Sequence, residues 1–138
     1  MSRKEQIVDA ARQILETEGR DGVTMRAIAE LLEIRAPSLY KHIADKHEVE
    51  VALIARGFVE QADSFHTAVA DDGADPVAAI ADAYRVWAMA NPHLYGLMTS
   101  DPLPRSDLPD GVEQAAAMPL VQAVEGDIDQ ARALWAFA

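Results

Sequence analysis

The stretch TMRAIAELLEIRAPSLYKHIADK, residues 24–46, decides the fold. Thr24 is placed to cap a helix from Met25 to Leu32, whose buried face is Ile28, Ala29 and Leu32. A few residues later comes Pro37, which suits a first helical turn because its missing N–H has no partner there anyway. Leu39 and Ile43, four apart, give this short helix, 36–43, an apolar side. Ile34 can plug the corner between the two. Helices joined by so short a turn cannot run side by side. They cross steeply, as in a helix-turn-helix motif, here spanning about 24–43.

The flanks continue in the same style. Ser2 and Glu5 have capping-box spacing, and Ile7, Val8, Ala11, Ile14 and Leu15 repeat on one helical face until Gly19 stops it. Asp45-Lys-His-Glu48 opens a long helix with the stripe Ile54, Phe58, Ala62, Phe65 and Val69, which the polar run 71–75 ends. Asp75-Pro76 starts another, through Ile80, Tyr84, Trp87 and Ala88 to the break at Asn91-Pro92. Pro92 starts a short helix bearing Leu94, Tyr95 and Met98. Residues 99–112 contain three prolines and read as a loop. A helix covers 113–124, with Pro119 either kinking it or marking its beginning. Asp127 caps a last helix carrying Ile128, Ala131, Leu134 and Trp135. The sequence stops at Ala138 within that apolar pattern, so further chain is expected beyond it.

Composition narrows the chemistry. The chain is 50% hydrophobic and 25% charged, alanine-rich and poor in β-branched runs, which favours an all-α globular protein. It lacks cysteine, which rules out disulfides and thiolate zinc sites and fits a cytoplasmic location. No apolar run is long enough to span a membrane, and the N-terminus reads as an amphipathic helix rather than a signal peptide. The net charge of −11 is unevenly spread. Residues 1–50 hold eight basic and ten acidic side chains, and residues 51–138 four and thirteen. So acidic a second part repels nucleic acid, and any such contact must come from the first third.

Within 24–46 the side chains suit an anionic surface. If helix 36–43 enters a major groove, Arg35, Ala36, Pro37 and Ser38 approach base edges. Tyr40, Lys41 and the hydroxyls of Thr24 and Ser38 suit phosphate oxygens. Arg26 can reach a phosphate or a guanine edge. Lys46 stands at a helix N-terminus, which also favours an anion. From spacing alone, a solvated helical hairpin with decorative charges is equally compatible.

Residues 7–54 resemble the N-terminal domain of TetR family transcriptional regulators. The resemblance rests on Ile7, Ala10, Ala11, Gly19, Val23-Thr24, Arg26-x-Ile28-Ala29, Ser38-Leu39-Tyr40-x-His42-Ile43 and Lys46. It implies a three-helix head (1–60) joined by a long helix to a helical body for ligand binding and dimerisation (61–138), incomplete at its C-terminus. It also implies a homodimer on a palindromic double-stranded operator, with 36–43 as recognition helix. Thr24, Ser38, Tyr40 and Lys46 then match phosphate contacts. Arg26, Arg35, Ala36, Pro37 and Lys41 match positions facing bases or the adjoining backbone. Two positions depart from the family pattern. Glu33 stands at a turn position where the family usually has glycine, and Arg35 replaces a small hydroxyl residue.

The body, with YRVWAMANPHLYGLM and ARALWAFA, resembles a Trp-bearing subgroup more loosely. By that resemblance it holds a pocket for a small-molecule effector, with Tyr84, Trp87, Met89, His93, Tyr95 and Met98 as candidate lining. Its acidity favours cationic or neutral effectors. His42 and His47 flank Asp45, and Asp63 and His66 share a face, but no third ligand completes a metal site. No nucleophile–base spacing points to an enzyme, and no cofactor is expected. The expected function is a ligand-responsive repressor. The competing one is an all-α interaction module, or a degenerate regulator without operator binding.

Overall fold

The computed structural model describes residues 1–70, 75–100 and 102–124. All regular structure in them is helical, as expected, and it divides into two compact units. One is Met1–Ala55 with Asn91–Leu108. The other is Arg56–Ala90 with the described residues from Pro109 on. The segment 91–108, read from sequence as part of the body, therefore belongs to the first unit.

The first unit begins with α1 (Arg3–Glu18), whose predicted capping box is formed: the Ser2 hydroxyl accepts the Glu5 N–H, and the Glu5 side chain accepts the Ser2 N–H. Gly19, at φ 79°, closes α1 through its N–H to the Leu15 carbonyl. A short 3-10 turn, Arg20–Gly22, leads to α2 (Met25–Leu31), followed by α3 (Ala36–Tyr40). Ile7, Ala11, Leu15, Val23, Ile28 and Leu39 are almost completely buried and make the core on which these helices close.

The long helix α4 (Lys46–Val69) starts as read. The Asp45 carboxylate accepts the Glu48 N–H at 2.9 Å, while the Glu48 carboxylate reaches one residue further back, to the Ala44 N–H at 2.7 Å. Lys4 Nζ donates to the same Glu48 at 3.1 Å, tying α1 to α4.

The placement of 91–108 has identifiable causes. After α5 (Pro76–Ala90), the short α6 (Pro92–Met98) packs on α1 and buries Leu94 and Leu97. Arg12 of α1 donates to the Asn91 side chain at 2.8 Å. His47, in the first turn of α4, is bonded to Asp107 at 2.9 Å, in a 3-10 turn of the loop after α6. These contacts join residues 60 and 79 positions apart, beyond the reach of helical periodicity.

In the second unit, the Asp75 side chain accepts the Val77 N–H at 3.0 Å to open α5, which buries Ile80, Tyr84 and Trp87. The helix α7 (Val112–Ala123) packs on α5, and Pro119 lies inside it rather than at its start. Phe65 of α4 stacks on Tyr84, ring centroids 6.1 Å apart. The last helix read from sequence, from Asp127, lies outside the described residues. No described helix is long and apolar enough to cross a membrane.

Gly22 is a tight point in the approach to α2. A Cβ there would stand 2.5 Å from the Glu18 Cβ, an atom fixed to the backbone of α1. Gly22→Ala is therefore expected to destabilise the protein by about 1–3 kcal/mol in urea unfolding, since relief requires the turn itself to shift.

Candidate nucleic-acid interface

The segment 24–46 forms two helices and an abrupt corner. Thr24 caps α2, its hydroxyl accepting the Ala27 N–H at 3.0 Å. The hydroxyl keeps its own proton for an outside acceptor. At the other end of α2, Ile34 N–H bonds to the Ala29 carbonyl at 3.0 Å and Glu33 N–H to the Glu30 carbonyl at 3.1 Å. This is the paired-bond ending that a left-handed residue permits, and Glu33 supplies it at φ 55°. The glycine-like position noted in the sequence is thus a left-handed position occupied by glutamate.

The helix α3 follows at once, with Arg35 at its N-cap, Ala36 first and Pro37 in the opening turn. It ends at Tyr40, three residues short of the expected Ile43. Beyond Tyr40 the chain tightens, and His42 and Ile43 N–H groups both bond to the Leu39 carbonyl. Ile43 remains buried, so the apolar anchoring read from the Leu39/Ile43 spacing survives the shorter helix.

Arg26, Arg35, Ala36, Pro37, Ser38, Tyr40 and Lys41 are all exposed, as is Thr24. Tyr40 leaves 51% of its surface uncovered, unusual for a ring on so small a head. Arg26 donates through Nε to Glu30 at 3.0 Å, leaving both terminal nitrogens of its fork uncommitted by that bond. Arg35 and Lys41 make no ion pair among the described residues.

Lys46 is half-buried at the start of α4, where Nζ donates to the Arg20 carbonyl at 3.3 Å and lies 4.0 Å from Glu50. Arg20 itself grips Glu50 with two bonds, at 3.1 and 3.0 Å. One carboxylate thus holds two cations beside the α4 N-terminus. His47 lies next to them, and its hydrogen bond to Asp107, aided by the charges of Asp107, Asp45 and Glu50, raises its pKa above the ordinary value.

The residues read as effector lining fall in both units. Tyr84 and Trp87 are buried in the second, where Met89 is 70% exposed. In the first, Met98 is buried, Tyr95 is half-buried, and the exposed His93 lies against Gly19. The sequence reading passed over Gln61, a polar residue one turn from both Phe58 and Phe65 on the apolar stripe of α4. It is buried, and its position in that stripe was the available signal. Among the described residues, no three His, Asp or Glu side chains gather where they could hold a metal.

A helix-turn-helix head of three helices and a long connecting helix, with further helices beyond, defines the class of this protein. Residues 7–53 match the family model of bacterial regulatory proteins of the tetR family, and residues 77–138 match that of the tetracyclin repressor-like C-terminal domain. The chain belongs to the TetR family of transcriptional regulators.

Among relatives, the HTH-type transcriptional regulator Rv1816 of Mycobacterium tuberculosis is 33% identical over 102 residues, 71% of this chain and 44% of its own length. The tetracycline repressor protein class D of Escherichia coli is 40% identical over 50 residues, 36% of this chain and 23% of the repressor. Among solved structures, one of a regulatory protein, SCO4313, superposes with a TM-score of 0.68 at 32% identity, covering 89% of this chain and 60% of that one. A protein of unknown function from Rhodococcus sp. RHA1 shares the fold at a TM-score of 0.77 and 23% identity, covering 91% and 67%. The chain thus spans less than half the length of Rv1816.

Two outcomes follow from this geometry. Glu33→Gly should stabilise the head by roughly 0.5–1 kcal/mol in urea unfolding, because glycine occupies the left-handed region without a Cβ clash. The His47–Asp107 pair should stabilise the fold fully below the unfolded histidine pKa of about 6.5. That contribution is lost as pH rises through the higher folded value. NMR titration should find His47 above the ordinary value in the native protein and returned toward it in Asp107→Asn.

Proposed function

We propose that this chain is the DNA-binding and part of the regulatory portion of a ligand-responsive repressor that acts as a homodimer on a palindromic operator in the cytoplasm. The observation carrying the proposal is the set of side chains on α3 and its flanks. Tyr40, Lys41, Arg35 and Ser38 stand exposed on a helix that is anchored from behind by Leu39. A phenol, a hydroxyl and two cations without ion-pair partners among the described residues, in a chain of net charge −11, are best accounted for by a polyanion. Membership of the TetR family supports the same reading.

In this reading Thr24, Ser38, Tyr40 and Lys46 hold phosphates and so fix the register. Arg26, Arg35, Ala36, Pro37 and Lys41 face bases or the adjoining backbone. Lys46 exchanges the Arg20 carbonyl for a phosphate oxygen when DNA arrives. The short α3 places its first turn, rather than its length, against the groove, as helix-turn-helix proteins do.

The regulatory half of the proposal has Tyr84 and Trp87 contributing to an effector site in the body. The helix α4 runs unbroken from Lys46, beside the head, into the second unit. A ligand that displaces its far end displaces its start, and with it the separation of two recognition helices in a dimer. That separation must match one DNA turn, about 34–36 Å. A few ångströms of splay release the operator.

The test is a binding titration against a duplex selected by the protein from a random pool, at several salt concentrations. Wild type should lose affinity steeply as salt rises. The double variant Tyr40→Ala/Lys46→Ala should bind at least about tenfold more weakly, with the log–log salt slope shallower by roughly one. Equal binding by the two proteins, or affinity indifferent to salt, overturns the proposal in favour of an interaction module that does not bind DNA.

A further inference from the structure

Among the described residues, one buried side-chain atom with hydrogen-bonding capacity has no partner. Gln61 lies on the part of α4 that belongs to the second unit, is 2% exposed, and its Oε1 accepts no hydrogen bond. Phe58, three positions before it, and Phe65, four positions after it, share its helical face and are buried. Phe65 in turn lies against Tyr84 of α5, with the ring planes inclined by only 18°. An amide oxygen stripped of water among aromatic rings weakens the fold relative to an apolar side chain of the same size. No second buried side-chain atom without a partner is found among the described residues.

We propose that Gln61 anchors a small, neutral, largely aromatic ligand, whose O–H or N–H donates to Oε1. The proposal rests on the effector reading above and gives that effector a chemical class. The donor follows from the atom left unsatisfied, which can only accept. Neutrality follows from the surroundings. Gln61 is the sole polar or charged residue among the buried ones described, so an ionised ligand would enter without a counter-charge. The acidity of the body left cationic ligands open, and the lack of a charged residue among the buried ones described disfavours them. Aromatic character follows from Phe58 and Phe65, which share the helical face of Gln61, and from Tyr84, stacked on Phe65.

The experiment uses two probes of nearly the same shape, 4-ethylphenol and 4-ethylanisole, which differ in whether the oxygen carries a proton. Each is titrated into the full chain, with binding followed by calorimetry and by the shift in melting temperature. In wild type the phenol should raise the melting temperature with dose and bind at least about tenfold more tightly than the ether. Gln61→Leu and Gln61→Met nearly keep the volume; the first removes the acceptor and the second replaces it with a weakly accepting thioether. Both should melt at or above wild type and bind phenol and ether alike.

Equal binding of the probes by wild type, absence of binding by either probe, or a phenol preference that persists in a folded variant overturns the assignment. Two variants guard against one failing to fold, and the wild-type comparison needs neither. Because the readout is ligand binding rather than DNA release, these failures leave the DNA-binding reading standing. Conversely, loss of salt-dependent DNA binding leaves the Gln61 assignment untouched.

Discussion

The corner between α2 and α3 closes on two backbone hydrogen bonds, from Glu33 and Ile34 to carbonyls of α2, and the one from Ile34 requires residue 33 to be left-handed. The direction of α3 depends on that conformation. With the corner closed, Arg35 falls at the N-cap, Leu39 drops into the head core, and Tyr40 and Lys41 are left outside. A glutamate here carries a Cβ into a region where glycine sits freely. The burial of Leu39, Ile43 and Ile28 on either side of the corner opposes that local strain.

Charge in this chain is arranged by position. The cations proposed to meet DNA are few, and two of them are held in place by acids of the head itself, Arg26 by Glu30 and Lys46 by Glu50, which also holds Arg20. Such exposed pairs contribute little to folding. Their effect is geometric, since they fix where a flexible side chain ends before any partner arrives. The same economy appears at the start of α4, where Asp45 and Glu48 satisfy free amides while Lys4 and Asp107 tie the helix to distant parts of the head.

Most of the helical order was legible because its causes are local. Ser2 with Glu5, Gly19, Thr24, Asp45 and Asp75-Pro76 each mark a helix end through bonds spanning four residues or fewer. The length of α3 was misread for a related reason. Leu39 and Ile43 look like successive turns of one helix, and both are buried, but the backbone tightens after Tyr40 while still delivering Ile43 to the core. Gln61 was legible by position and illegible by state. A polar residue in an apolar stripe is visible in the sequence, whereas the lack of a partner depends on every neighbouring element.

By itself the sequence determined the all-α class and the two short helices joined by an abrupt corner after Thr24, because capping, periodicity and turn chemistry act within a few residues. Only the tertiary structure decided that Glu33 takes the left-handed conformation, that 91–108 packs with the head, and that Gln61 is buried without a partner. The bonds from Arg12 to Asn91 and from His47 to Asp107 show the physical reason. Contacts between residues far apart in the chain depend on the closing of the whole core, which no local pattern encodes.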